Sequence, residues 1–81
     1  MENKSINLKE LLSKVLQLPI ERIKGNIGAE TCSQWDSISH IDIIARLEKE
    51  LSEDIPTEEV GDLDSFISIK TFLENKGWKT Y

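Results

Sequence analysis

Between Asn7 and Pro19 the apolar residues Leu8, Leu11, Leu12, Val15 and Leu16 recur three and four positions apart. That spacing lays them along one stripe of an α-helix. Asn7 and Glu10 are spaced as a capping pair, Ser5 offers an earlier start, and Pro19 is the predicted stop. "PIERI" predicts one further turn with Ile20 and Ile23 inward. Residues 24–34, "KGNIGAETCSQ", show little periodicity and read as a long loop, a feature that in a small domain marks function or disorder.

From Ile38 to Leu51 the apolar positions are Ile38, Ile41, Ile43, Ile44, Ala45, Leu47 and Leu51. Plotted at about 100° per residue they cover more than half of a helix, so this second helix is expected to be central and touched on several sides. "SEDIPTEE" breaks it, with Pro56 as the stop and Thr57 as the cap of a short third helix reaching about Asp62. A last helix from about Ser65 to Asn75 turns Phe66, Ile69, Phe72 and Leu73 inward and stops at Gly77. The tail "WKTY" carries no pattern. The expected fold is all-α: one domain over residues 1–81, a small antiparallel four-helix bundle of three main helices, one short helix and a long first loop.

With 81 residues the chain is near the lower limit for a domain held by a single core. Cys32 is the one cysteine, so no internal disulfide can form and a reducing compartment is expected. With one histidine and no second cysteine, neither a metal site nor a Cys–His pair is expected. There is no signal-peptide pattern and no apolar run of the ~18 residues a membrane span needs. A free-standing cytoplasmic protein that avoids membranes is therefore expected. The net charge of −5 is uneven: residues 36–64 hold ten acids against Arg46 and Lys49. Such a middle third repels nucleic acid and anionic lipid and favours basic protein surfaces. A solvated acidic face with no partner accounts for it equally.

Residues 34–44, "QWDSISHIDII", hold the candidate chemistry. Alone, Asp36-Ser37 before a helix is a cap. Ser33 and Asp36 form another S-x-x-D capping pattern that would start the helix earlier. Asp64-Ser65-Phe66 repeats the Asp-Ser-apolar triplet and is read as the cap of the last helix. Ser37 and His40 share a helix face, which raises a hydrolase reading with Asp36. A triad, however, needs its acid beyond the histidine, and no G-x-S-x-G elbow is present.

The stretch "DSISHIDIIARLEKELSEDIP" resembles the core of an acyl or peptidyl carrier protein. In that family an Asp-Ser-aliphatic signature opens the second helix, which ends in an acidic run followed by an Ile-Pro and a short third helix. Here these are Asp36-Ser37-Ile38, "LEKEL" and Ile55-Pro56, and the likeness spans about residues 5–75, leaving 76–81 as a tail. The resemblance implies that a phosphopantetheinyl transferase moves 4′-phosphopantetheine from coenzyme A onto Ser37, with Asp36 capping the first turn. The arm's thiol would carry an acyl, aminoacyl or peptidyl group as a thioester, and the protein would be a monomer without catalysis of its own. An acyl-activating ligase or a synthase, as in fatty acid or polyketide biosynthesis, would be its partner.

Asp42 and Glu48 are expected on the partner-recognition surface. Trp35 is assigned there too, although its residue type favours partial burial in the core. His40 is expected to be exposed beside the arm, and Ile43 and Ile44 to be core, with one of them available to a partner. Ser39 stands where housekeeping family members usually have an acid, and Arg46 and Lys49 dilute the negative face, which points to a dedicated pathway. An interaction module that kept the carrier fold without the prosthetic group is the alternative.

Overall fold

Leu8, Leu12 and Leu16 repeat every fourth residue, and all three are fully enclosed along one side of helix α1 (Leu8–Leu16). The computed structural model describes residues 4–25 and 27–81; residues 1–3 of the expected domain and position 26 of its loop lie outside the described residues. Among these the order is β1 (Ser5–Ile6), α1, a 3₁₀ turn (Ile20–Arg22), α2 (Ser37–Leu51), α3 (Thr57–Val60), α4 (Phe66–Asn75) and β2 (Lys79–Thr80). The chain is thus predominantly helical, with three longer α-helices and one short one among the described residues.

Local side-chain chemistry sets the helix starts. Asn7 accepts the Glu10 N–H at 3.1 Å, and Asp36 accepts the Ser39 N–H at 2.9 Å. Ser65 and Ser68 form a reciprocal capping box, so the second Asp-Ser triplet does cap α4. The earlier start through Ser33 is not used; the Ser33 hydroxyl donates to the Gln34 side chain instead. Thr57 is the first helical residue of α3, and the cap position falls on Pro56, whose ring presets the backbone angle without a side-chain bond.

α2 ends where "SEDIPTEE" is expected to break it, and α1 ends in the same manner. α1 stops at Gln17 and α2 at Ser52, both left-handed non-glycine residues with φ 57° and 58°, ahead of Pro19 and Pro56. In each case the N–H two residues past the helix end reaches back to a carbonyl in the last turn, from Leu18 to Ser13 and from Glu53 to Glu48, and shares it with the N–H of the cap residue. Gly77 behaves as expected: φ is +89°, and the Trp78 N–H bonds the Leu73 carbonyl to close α4.

The core gathers Leu8, Leu12, Leu16, Ile23, Ile43, Leu47, Ile69 and Leu73, each essentially sealed from solvent. Burial of each such side chain contributes about 1.5–3 kcal/mol, against the ordering entropy of the chain. Of the 3₁₀ turn and its exit only Ile23 points inward; Ile20 is 45% exposed, contrary to expectation.

Two features had no sequence signature. The tail pairs in parallel with the N-terminal segment, Ser5 opposite Lys79 and Ile6 opposite Thr80, and the Tyr81 carbonyl accepts the Lys9 N–H at 2.7 Å. Ser5 therefore lies in a strand and not in the first helix. The long loop is docked on the start of α4 through Ala29 N–H to Asp64 O at 2.8 Å and Phe66 N–H to Ile27 O at 3.0 Å. Gly28 sits at that contact, where an added Cβ would come within 2.8 Å of the Asp64 carbonyl oxygen.

Candidate functional site

The loop and the Asp36 cap set Ser37 at the first position of α2, the longest helix among the described residues. Ser37 is exposed, and no hydrogen bond engages its hydroxyl among the described residues. The His40 N–H opens the helical ladder by bonding the Asp36 carbonyl at 2.8 Å. A helix start of this kind presents polarised N–H groups that favour an anion. The Asp36 carboxyl is held below the ordinary carboxylate value, chiefly by the Ser39 N–H bond.

The second helix does not have a continuous apolar surface packed on all sides. Ile43, Ile44, Leu47 and Leu51 face the core, while Ile38 is 80% exposed and Ile41 68% exposed, with exposed Ala45 in line below them. Residues 38, 41 and 45 are spaced i, i+3, i+7, so they form a second stripe on the far side of the helix from the core stripe. It starts directly beside Ser37. Contrary to expectation neither Ile43 nor Ile44 is available to a partner, because both side chains are buried.

Trp35 is 3% exposed, which places the indole in the core and withdraws it from a contact surface. Its Nε1–H donates to His40 Nδ1 at 3.1 Å, the rings lying 6.4 Å apart between centroids. With Nδ1 accepting, the ring proton resides on Nε2, which donates to the Val60 carbonyl at 2.8 Å. His40 is thus half-buried and committed on both nitrogens, neither exposed beside Ser37 nor positioned as its base. Asp36 is likewise occupied by Ser39, so the Asp36–Ser37–His40 set does not assemble as a triad.

Asp42 remains at the surface, paired with Arg46 at 3.0 Å. Glu48 is half-buried, and its carboxylate accepts the Ile55 N–H at 2.8 Å, so it holds the linker after α2 and is not free for a partner. Cys32 is buried in the loop with its thiol toward Gln34, and Trp78 packs on the core edge.

Among the described residues no helix is long and apolar enough to cross a membrane. Neither a protein-family model nor a curated protein matches the chain.

Proposed function

We propose that this chain is a discrete carrier protein, modified by 4′-phosphopantetheine on Ser37 and handed between partner enzymes in the cytoplasm. The observation that carries the reading is the exposed, unengaged Ser37 hydroxyl at the capped start of α2, bordered by the exposed pair Ile38 and Ile41. It joins the likeness of Asp36-Ser37-Ile38 and its downstream helix order to the carrier family. The four helices are read as the family's antiparallel bundle.

The residues present suit the group. The Ser37 oxygen is reachable by a transferase, and a phosphodiester there would lie at a helix start that favours negative charge. In the transfer, the Ser37 Oγ–P bond forms as the phosphoanhydride P–O bond of coenzyme A breaks; the serine proton passes to the transferase and the adenosine bisphosphate leaves. The bound arm supplies a thiol for thioester chemistry. Asp36 keeps the first turn of α2 closed, and Ile38, Ile41 and Ala45 offer apolar area to a docking enzyme, with Asp42 at their edge. Ser39, Arg46 and Lys49 make this face less acidic than that of housekeeping carriers, which supports a dedicated biosynthetic pathway with its own ligase or synthase.

The test is intact mass after incubation with coenzyme A, magnesium and a promiscuous phosphopantetheinyl transferase. One phosphopantetheine is added to the native chain and none to Ser37→Ala. No adduct, or one that survives the substitution, leaves the interaction-module alternative.

A further inference from the structure

We infer that His40 is a positioning residue that locks the Ser37-bearing helix tip to α3, through a relay running from the Trp35 indole across the imidazole to the Val60 carbonyl. Three separate elements meet at this ring. Trp35 closes the loop immediately before the Asp36 cap, His40 lies in the first turn of α2, and Val60 is the last residue of α3. The two bonds, 3.1 Å and 2.8 Å, require one tautomer, so each polarises and orients the other.

α3 needs such a hold. It is four residues long, far below the length at which a helix persists alone, and it buries none of its own residues fully. The Val60 carbonyl also accepts the Leu63 N–H at 3.3 Å, so the His40 bond fixes the turn that leads from α3 toward α4. On the other side the indole is enclosed in the core, which gives the relay a rigid anchor. Displacement at the helix tip is therefore transmitted to the end of α3, and loosening of α3 is felt at the residue preceding the cap. Only the functional meaning of this coupling rests on the carrier reading.

The experiment uses unmodified full-length protein and follows amide hydrogen exchange together with the Trp35 indole N–H resonance. His40→Phe keeps a ring of similar bulk but has no acceptor or donor. It is expected to raise exchange at Asp62 and Leu63 about tenfold, in line with one lost buried hydrogen bond, and to shift the indole signal. Amides in the middle of α1 keep their native protection. His40→Gln carries both an acceptor and a donor and is expected to restore part of the protection. Unchanged exchange at Asp62 and Leu63 in His40→Phe overturns the relay, as does equal loss in both variants, which would assign the effect to packing. Should His40→Phe not fold, Trp35→Phe decides: faster exchange confined to α3 and the first turn of α2 supports the relay, and unchanged or uniformly faster exchange overturns it. A parallel measurement of transferase labelling at Ser37 keeps the two readings apart, since its failure in native protein sinks the carrier function and leaves the exchange result standing.

Discussion

The Glu48 carboxylate accepts a hydrogen bond from the Ile55 backbone N–H across the turn that ends α2. Together with His40 to Val60, this pairs a falling position on α2 with a rising one beyond it, so the segment from Ser52 to Val60 runs back along the helix it has just left. One charged side chain thereby holds the linker where Ile55 enters the core. Glu48→Ala is expected to lower stability by about 1–2 kcal/mol in urea unfolding, the scale of a charge-assisted bond that is partly solvated, and Glu48→Gln by less, since its amide oxygen still accepts.

Acid weakens the cap at the helix tip. The folded Asp36 carboxyl is held below its ordinary value by the Ser39 N–H, so its stabilising contribution is present above the unfolded-chain value, about 3.9, and is lost as pH falls through the lower folded value. Comparing urea midpoints at neutral pH and near pH 2, Asp36→Asn should lose less between the two than the native chain. Asp36→Ala should lower the midpoint at neutral pH.

The two apolar stripes of α2 should respond oppositely to truncation. Leu47→Ala, at a fully buried site, is expected to cost about 2–5 kcal/mol and to threaten folding of so small a domain. Ile38→Ser and Ile41→Ser, at exposed sites, should each stay within about 0.5 kcal/mol of the native chain by thermal unfolding. Under the carrier reading the same pair should slow acyl loading by the cognate ligase while leaving the fold intact.

Gly28→Ala should disturb the docking of the loop on α4. The new methyl would meet the Asp64 carbonyl oxygen and the Ser65 Cβ at 2.8 and 2.9 Å, the first held by the Ala29 N–H and the second by the capping box. A loss of about 1–3 kcal/mol in urea unfolding, with faster exchange at Ala29 and Phe66, is the expected outcome.

Much of this architecture can be read along the chain because its signals are local. Asn7, Asp36, Ser65 and Gly77 act on groups within a few residues, so their roles follow from spacing alone. Periodicity also locates α2 but does not say which face is inward when apolar residues occupy both; the outward stripe at Ile38, Ile41 and Ala45 emerges only once α1 and α4 have taken the other side. Gln17 and Ser52 end their helices in a conformation that glycine usually signals, and neither residue type announces it. The roles of Trp35, His40 and Glu48 were hidden for a related reason: each depends on a partner that folding brings near. At the candidate site the Asp36 cap and the helix start at Ser37 were legible, and the commitments of the neighbouring side chains were not.

The parallel pairing of Ser5 with Lys79 lays the start of the described chain alongside the segment that leads to Tyr81. A short tether from Tyr81 to Lys4 would therefore close the described chain into a ring without crossing any helix. Such a ring would keep Ser37 at its helix tip while removing the freedom of both strand ends to fray.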